Sequence, residues 1–334
     1  MTQISGCQPQ GVENDIFARP HQDAGGWGHP WNPTQLRIPA FLLNAPFSYS
    51  TEVPNNVWMQ DLKEEEREPD HRRAMMQFRE LYRYLAADAL VYVLPTPRDC
   101  ALQDLVFTAN LGTVLGHVPE KDVVVLSNFT SEPRRGETAV GERFFSMMGY
   151  RTYVSPWKFE GEAELKHLHD NVYVGGYGQR SERQTYEWMS QQFDMDIVPL
   201  AHDDPYLYHL DCTVFPITND DTLVCTEMYD REALAELERR TNIIDVSLAD
   251  CYSGICNSVR VANTIANSSH IHDLKAGTDE YDEELAKNRR LEDIAAKLAF
   301  EVGYLNLSEY HKGGALLSCM VMHLNRYSYT FKLI

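Results

Sequence analysis

The sequence predicts an α/β protein built from repeated units. Short apolar runs typical of strands alternate along the chain with segments whose apolar residues recur at helical spacing. Units of about two or three strands followed by one helix recur several times, which indicates internal repetition. With 334 residues, of which 43% are hydrophobic and 24% charged, the chain is long enough to bury a sizeable core.

The first 36 residues differ in character from the rest. Glycine and proline punctuate them, and neither a strand period nor a helix period persists, so we expect an extended arm. Trp27 and Trp31 predict that this arm packs on the body of the protein or on a neighbouring subunit of a homo-oligomer, because a free tail rarely carries such large apolar groups. The N-terminus has neither a basic start nor an apolar run, so no secretory signal is expected.

The first predicted elements after the arm are two buried strands that flank a helix. Residues 38–43 and 90–94 are the two apolar runs. Between them, apolar residues at helical spacing indicate the helix, namely Ala74, Phe78, Leu81, Tyr82 and Leu85.

The same alternation continues downstream. Further strands are predicted at 105–108, 112–115, 123–126 and 172–175 and around Val214, Leu223 and Val224. Helices are predicted near 139–148, 182–193 and 231–240. A polar, acidic stretch at 266–290 is expected to be a solvated loop that leads into a last helix. That helix is marked by Leu291, Ile294, Ala295, Leu298 and Val302, and a strand containing Cys319 follows it.

Composition excludes several classes of function. The chain has 30 basic and 49 acidic residues and a formal net charge of −19, which would repel nucleic acid and mildly favours a cationic ligand. No apolar stretch approaches the roughly 18 residues of a membrane helix, so no membrane partner is expected. The seven cysteines are irregularly spaced, which fits a reducing cytosol better than a disulfide framework, and a cytoplasmic location is expected.

No metal site and no common nucleotide site is indicated. Cys251 and Cys256, even with His270 and His272, do not have the spacing of a zinc motif. Neither a Walker A loop nor a GxGxxG sequence is present. We therefore expect no metal and no organic cofactor.

A cysteine near the C-terminus is the best candidate for chemistry. Cys319 lies in an apolar run behind a glycine pair, a context in which most cysteines are simply small buried hydrophobes. Its proposed partners lie elsewhere. His209 and Asp211 are spaced by two, as if they projected from one face of a strand, and Glu160 lies in a carboxylate cluster further upstream. Cysteine, histidine and acids far apart in sequence are typical of a Cys/His nucleophilic site.

Six short motifs occur in a fixed order along the chain. They are DLVFTAN at 104–110, FEG at 159–161, GYGQRSE at 176–182, YHLD at 208–211, CNSV at 256–259 and GGALLSC at 313–319. In this order they resemble the guanidine-modifying, or pentein, superfamily. The chain is most similar to arginine dihydrolases and more distantly similar to dimethylarginine dimethylaminohydrolases, arginine deiminases and amidinotransferases. The resemblance runs from about Phe41 to Leu324.

The resemblance implies a fold and a domain organisation. Members of the superfamily are five-bladed α/β propellers in which ββαβ units surround a central polar site, and this agrees with the repetition in the sequence. The chain would then have one catalytic domain at 37–334, preceded by the arm at 1–36.

The resemblance also assigns catalytic roles. A guanidinium carbon is a poor electrophile and needs a strong nucleophile such as a thiolate, and Cys319 matches the family nucleophile. Glu160 and Asp211 match the carboxylates that hold the planar cation by paired hydrogen bonds. His209 matches the general acid and base, which protonates the leaving amine and then activates water or an acceptor amine. The intermediate would be an S-alkylthiouronium on Cys319.

The resemblance implies a substrate-binding set with one departure. Where related enzymes have an arginine that holds the substrate carboxylate, this chain has Asn128, whereas Arg180 matches a second carboxylate-binding arginine. Asn110 and Asn56 match asparagines of the dihydrolases, and Gly313 completes the set.

A second departure lies next to the FEG motif. The chain has Glu162 and Glu164 where relatives usually have glycine and then aspartate. We expect the longer Glu164 side chain to shift only a supporting hydrogen bond.

The predicted function is cysteine-dependent hydrolysis of the guanidinium group of arginine or an arginine-like small molecule. In a dihydrolase the substrate is cleaved twice, giving ornithine, ammonia and carbon dioxide. Two alternatives stay open. An amidinotransferase would use the same Cys319 intermediate and pass the amidino group to an acceptor amine. The other alternative is a binding or structural homologue without activity.

Overall fold

The computed structural model describes residues 32–98 and 101–331, and it arranges them as a mixed α/β fold with five three-stranded sheets. The strands are β1 (Ala40–Asn44), β2 (Leu90–Leu94), β3 (Gly112–Val114), β4 (Val123–Leu126), β5 (Arg151–Val154), β6 (Leu165–His169), β7 (Val172–Tyr177), β8 (Asp196–Ala201), β9 (Val214–Pro216), β10 (Asp221–Val224), β11 (Asn242–Asp245), β12 (Ser258–Val261), β13 (Thr264–Ser268), β14 (Glu301–Leu305) and β15 (Met322–His323). The helices are α1 (Val57–Asp61), α2 (Glu64–Arg67), α3 (His71–Ala86), α4 (Glu137–Met147), α5 (Arg183–Phe193), α6 (Arg231–Glu238), α7 (Leu248–Tyr252), α8 (Asp279–Lys297) and α9 (Ser308–His311).

The five sheets share one topology. Each has an antiparallel pair followed by a parallel pair, in the orders β3-β4-β5, β6-β7-β8, β9-β10-β11, β12-β13-β14 and β15-β1-β2. Parallel neighbours need a crossover connection, and α4, α5, α6, α8 and α3 provide it in these five sheets, in the same order. The internal repetition predicted from the sequence is thereby confirmed.

One edge strand of every sheet contributes to the lining of a shared cavity. We call β3, β6, β9, β12 and β15 the inner strands, and β15 contacts β3 just as β6 contacts β9. A short 3-10 turn directly precedes four of these strands, at 108–110, 161–163, 210–212 and 318–320. The inner strands therefore begin near one another, and the turns before them form a common surface.

The amphipathic helix α3 shows how the pattern positions these elements. Asp70 caps its N-terminus by accepting a hydrogen bond from the Arg73 N–H at 3.0 Å. The predicted apolar residues Ala74, Phe78, Leu81 and Leu85 are buried against the β15-β1-β2 sheet, whereas Tyr82 lies largely outside the core. Tyr82 directly follows Leu81 in the helix and so points to a different side.

Several predicted elements are wrong in detail. Strand β2 is not buried, since it is the outer edge of its sheet, and the side chains of Leu90 and Val93 are 39% and 42% exposed. Residues 105–108 form turns and the start of a 3-10 turn instead of a strand. Val302 belongs to β14, beyond the end of α8 at Lys297.

The acidic stretch at 266–290 and the two catalytic motifs also differ from the prediction. Helix α8 begins at Asp279, so half of the stretch is helical, and Glu284 is buried in an ion pair with Lys287 at 3.0 Å. Asp211 and Cys319 lie in the 3-10 turns, with His209 directly before the first, and not in strands.

The arm predicted at 1–36 lies mostly outside the described residues, which begin at Asn32. The described end packs on the body. Thr34 Oγ1 donates to the Leu324 carbonyl at 2.7 Å, and Asn325 Nδ2 donates to the Pro33 carbonyl at 2.8 Å. Among the described helices, none combines the length and the apolar character needed to span a bilayer.

Candidate active site

Cys319 lies in the 3-10 turn that leads into β15 and is nearly buried. Its Sγ is 3.6 Å from Asp211 Oδ2, and it accepts a hydrogen bond from Asn257 Nδ2 at 3.5 Å. The neighbouring Ser318 fixes both partners. Its N–H donates to Asn257 Oδ1 at 2.7 Å and its hydroxyl donates to Asp211 Oδ2 at 2.5 Å. The thiol is therefore held in one position by a hydrogen-bonded group of side chains.

Each of the five sheets contributes to this site at the same place. The contributing residues sit in or beside the segments before the inner strands, and they are Asn110, Glu160, His209 with Asp211, Asn257 and Cys319. Because the inner strands begin near one another, residues far apart in sequence come together. The structure thus brings together all four residues predicted to be catalytic.

His209 and Glu160 form a buried pair. The imidazole Nε2 lies 2.8 Å from Glu160 Oε2, and the other carboxylate oxygen accepts the Thr130 N–H at 3.2 Å. Arg180 Nη1 lies 3.7 Å from the same oxygen, Oε1. Burial alone would raise the pKa of Glu160, but Arg180, His209 and Arg134 together lower it to about 2. Glu160 is thus an anion at neutral pH.

Its surroundings favour the neutral form of the Cys319 thiol. Burial raises the pKa of Cys319 to about 12, with a further increase from the negative charge of Asp211. The Asn257 hydrogen bond and the Leu316 N–H act in the opposite direction but are weaker. A cation bound next to Asp211 would remove part of the increase, so the site is built to form a thiolate when a cation is present.

Arg180 lies beside the His209–Glu160 pair and lines a cavity next to it. Its Nη2 donates to the Asn55 carbonyl at 2.7 Å, and its guanidinium carbon lies 4.9 Å from the centroid of the Tyr208 ring. Tyr208 is held by donating to the Gly314 carbonyl at 2.6 Å. Three features therefore orient Arg180, namely a carbonyl, an aromatic face and Glu160.

Asn56 joins the N-terminus of α1 to the glycine turn before Cys319. Its Oδ1 accepts the Met59 N–H at 2.9 Å, and its Nδ2 donates to the Gly313 carbonyl at 2.9 Å. Gly314 has φ +77, and a Cβ there would lie 2.5 Å from Asn56 Oδ1, so only glycine fits. Asn56 and Gly313 both line the cavity, but Asn56 already uses its amide to hold the turn.

Asn110 lies next to the imidazole of His209. Its Nδ2 is 3.4 Å from His209 Nε2, and its backbone carbonyl accepts the Ser127 hydroxyl at 2.5 Å. Gly161 packs tightly behind it, since with φ +62 a Cβ would lie 2.4 Å from the Ala109 carbonyl oxygen. The glycine of the FEG motif therefore sets how closely the turns carrying Asn110 and Glu160 approach.

Two connected cavities meet at Cys319. One, of about 300 Å³, is lined by Asn55, Asn56, Asp104, Asn110 and Arg180. The other, of about 450 Å³, is lined by Trp58, Tyr206, Cys212 and Tyr252. Tyr208, His209 and Cys319 border both cavities. A substrate in either cavity would therefore contact the thiol.

Asn128 is the predicted substrate-binding residue that the structure does not bring to these cavities. It lines neither of them. Its Nδ2 donates to the Ser155 carbonyl at 3.3 Å, and its Oδ1 accepts from Lys158 Nζ at 3.5 Å. Its backbone forms a bridge with Phe159, which fixes this orientation.

The two glutamates that depart from the family pattern point away from the thiol. Glu164 Oε2 accepts the Leu210 N–H at 3.1 Å and lies 3.2 Å from His202 Nε2. Glu162 Oε2 accepts the backbone N–H and the Nδ1–H of His323, both at 3.0 Å. These contacts fit the supporting role that we expected for Glu164.

Sequence reasoning missed several residues of the site. Asn257, Asp104 and Tyr208 lay inside the quoted motifs, but nothing in their spacing showed that they would face the cysteine. Arg134 was outside every motif; it is buried, lines the smaller cavity and pairs with Glu137 at 2.8 Å. Over the described part of the chain, no group of three or more His, Cys, Asp or Glu residues is arranged to hold a metal ion.

The chain is similar to known guanidine-modifying proteins. A family model for eukaryotic N,N-dimethylarginine dimethylhydrolases matches residues 45–326. A bifunctional arginine dihydrolase/ornithine cyclodeaminase of Nostoc sp. is 28% identical over 291 residues, which cover 85% of this chain and 37% of that protein. An N(G),N(G)-dimethylarginine dimethylaminohydrolase of Mycobacterium tuberculosis is 24% identical over 230 residues, 67% of each chain. This chain therefore spans well under half the length of the bifunctional relative.

Solved structures give the same picture. The N-terminal domain of the cyanobacterial arginine dihydrolase ArgZ, bound to substrate, matches with a TM-score of 0.73 and 25% identity, over 86% of this chain and 98% of that one. The same domain has also been solved covalently bound to a reaction intermediate. A dimethylarginine dimethylaminohydrolase adduct shares the fold at a TM-score of 0.61 and 18% identity.

Proposed function

Since the chain belongs to the family of eukaryotic N,N-dimethylarginine dimethylhydrolases, we propose that it hydrolyses the guanidino group of arginine or a close analogue through a covalent Cys319 intermediate. The observation that carries this proposal is the position of Cys319 Sγ, 3.6 Å from Asp211 Oδ2 and in a cavity that is also lined by His209, the partner of Glu160 at 2.8 Å. A nucleophile and an acid–base group therefore line one cavity, and a buried carboxylate lies directly behind each of them.

Substrate binding is coupled to activation of the nucleophile. The guanidinium cation takes a position between the carboxylates of Glu160 and Asp211, which accept its N–H groups. Its positive charge offsets the field of Asp211 and lowers the pKa of Cys319. The thiolate is therefore formed mainly when a substrate is ready to react.

The reaction proceeds by addition and elimination. The Cys319 thiol gives its proton to His209, and a bond forms between Sγ and the guanidinium carbon, giving a tetrahedral adduct. His209 passes this proton to one nitrogen, the C–N bond breaks and an amine or ammonia leaves. The thiouronium that remains is attacked by a water molecule whose proton goes to His209, the C–S bond breaks to give a ureido product, and the Cys319 thiolate takes a proton back from His209. A second round on that product would release a second ammonia and carbon dioxide, as in a dihydrolase.

Arg180 is the residue we assign to a substrate carboxylate. It lines the same cavity as Cys319 and is oriented by the Asn55 carbonyl and the Tyr208 ring. Asn110, Asn56 and Gly313 complete the wall of the cavity. Asn128 is assigned no substrate contact, because its side chain is directed to Ser155 and Lys158.

We infer that the five sheets close into a five-bladed propeller. Their common topology and the contacts between inner strands support this inference. Residues 37–334 would be its single catalytic domain. The arm at 1–36 would contact the body or a neighbouring subunit of a homo-oligomer, and the protein would act in the cytoplasm.

Product analysis tests the proposed function. The protein is incubated with arginine, agmatine or dimethylarginine, each with and without glycine or lysine as acceptor, and the products are identified by mass. We expect ammonia or a methylamine together with ureido or fully cleaved products, unchanged by the acceptor. An amidino group found on glycine or lysine would establish the transferase alternative instead.

A further inference from the structure

A separate cavity lies on the inner strands beyond the site of Cys319. It has a volume of about 530 Å³ and is lined by residues on or after all five inner strands. The lining includes Thr113, Lys166, Pro216, Ser258 and His323, one from each of them. None of the proposed catalytic residues lines it.

Two positive charges in this cavity have no carboxylate partner. The half-buried side chain of Lys166 has no hydrogen bond and no ion pair among the described residues. Arg326 donates to the His167 carbonyl at 2.7 Å and its guanidinium carbon lies 3.3 Å from the centroid of the Tyr329 ring. Both cations line the cavity, and His167 directly follows Lys166 on β6.

The absence of a carboxylate partner for Lys166 and Arg326 contrasts with the acidic character of the protein. The chain carries a net charge of −19, so acidic side chains are abundant, and a partly buried cation without a partner is costly. Glu162 is the acidic residue in the lining, and it is occupied by His323. The cavity thus retains positive charge in an acidic protein.

His323 adds a polar group that also has no partner. Its Nδ1–H donates to Glu162 Oε2 at 3.0 Å, whereas its Nε2 is buried and has no hydrogen-bond partner within the described chain. Burial lowers the pKa of His323, and the nearby charges of Arg326 and Lys166 lower it further. An anion in the cavity would offset both charges and raise the pKa of His323, which favours the imidazolium form whose Nε2–H donates to an anion.

We propose that this cavity is a second ligand site, distinct from the catalytic site, that binds a small oxyanion such as a phosphate or a dicarboxylate between Lys166 and Arg326. The ligand satisfies the two cations by charge-assisted hydrogen bonds, with His323 on a further side. This site does not depend on the reaction catalysed at Cys319.

Titration calorimetry on the full chain tests the proposal, with inorganic phosphate and malonate as probes and sodium chloride at matched ionic strength as reference. We expect saturable binding at one site per chain. Lys166→Met should weaken it by about tenfold or more, because one charge-assisted contact is lost. Lys297→Met, which removes an exposed lysine outside the cavity, should leave the affinity unchanged. Tighter binding of phosphate than of malonate would indicate a phosphoryl ligand, and the reverse order a carboxylate.

The catalytic cavity needs its own control, because Arg180 could also attract an anion. Arg180→Gln should leave the affinity for phosphate and malonate as in wild type. Arg326→Gln, with folding checked by circular dichroism, should weaken binding as Lys166→Met does. The proposal is overturned if wild type binds neither probe saturably, or if binding is lost in Arg180→Gln and retained in Lys166→Met.

Discussion

The space around Cys319 and the separate cavity on the inner strands differ in charge, although the same five sheets contribute residues to both. Around Cys319, the buried side chains include the carboxyl groups of Asp104, Glu160 and Asp211, and we proposed that two of these, Glu160 and Asp211, bind a cation. The cavity on the strands is lined instead by Lys166 of β6 and by Arg326, which follows β15, and we proposed that they bind an anion. Strand β6 illustrates the contrast, since Glu160 precedes it and Lys166 lies on it. The same repeated unit thus carries a negative charge before its inner strand and a positive charge on that strand.

The two regions influence one another through charge. The positive charge of Lys166 lowers the pKa of Cys319, although burial and Asp211 outweigh it. Substitutions in each region should separate the two roles, and loss of the Cys319 thiol should have the largest effect.

Removal of the nucleophile should abolish turnover. Cys319→Ser and Cys319→Ala should lower kcat by about 10³-fold or more, because a hydroxyl or a methyl group does not attack a guanidinium carbon. Phosphate binding by the second cavity should persist in both variants, which also shows that they are folded. Wild type quenched with acid during turnover should carry an adduct on the Cys319 peptide. A variant with wild-type rate would contradict the proposed mechanism.

Proton transfer and cation binding should separate in kinetics. His209→Ala should lower kcat by about 10²- to 10⁴-fold while substrate still binds. Glu160→Gln and Asp211→Asn should also weaken substrate binding, since each loses a charge-assisted pair worth about 1.5–3 kcal/mol. Binding is measured by calorimetry and turnover by ammonia release. Equal affinities in all three variants would remove the carboxylates from their assigned role.

Arg180 should decide between substrates with and without a carboxylate. Arg180→Gln should lower kcat/KM for arginine relative to agmatine by about 10- to 100-fold, which corresponds to loss of a contact of roughly 1.5–3 kcal/mol. Lys166→Met serves as the matched control, since its charge lies outside the catalytic cavity. The same ratio in wild type and Arg180→Gln would show that Arg180 does not bind the carboxylate.

The acidity of Cys319 should respond in opposite directions to two neutral substitutions. Asp211 raises the pKa of Cys319, so Asp211→Asn should lower it and let iodoacetamide react at lower pH. The Asn257 hydrogen bond lowers that pKa, so Asn257→Ala should move the reaction to higher pH. The rate is followed on the Cys319 peptide by mass spectrometry. Shifts in the same direction would contradict the stated electrostatics.

The smallest effect is expected at Asn128. Asn128→Arg should leave the ratio of kcat/KM for arginine and agmatine unchanged, because the side chain is directed to Ser155 and Lys158 instead of the cavity. A well-formed carboxylate contact would instead favour arginine by about tenfold or more. That gain would place residue 128 beside the substrate and would contradict the orientation described above.

The sequence predicted the repeated α/β pattern and a site that combines Cys319, His209, Glu160 and Asp211, which the structure brings together, but it did not predict their local setting. Apolar runs at 123–126 and 172–175 are strands because their residues pair and pack as periodicity requires. The exposure of β2 depends on its place at a sheet edge, which periodicity does not contain. The turn around Cys319 depends on contacts with Asn257 and Asp211, both far away in sequence. The cations Lys166 and Arg326 also come together only in three dimensions.

The sheet β15-β1-β2 has a consequence for synthesis of the protein. It joins the last described strand to the first, and the turn carrying Cys319 is held directly before β15. A ribosome therefore has to release the chain through Met322 before this sheet can be completed. Until then, the thiol has no fixed position relative to Asp211 and Asn257, so the proposed reaction cannot begin on the nascent chain. Chains interrupted before Met322 should lack both the finished sheet and the activity.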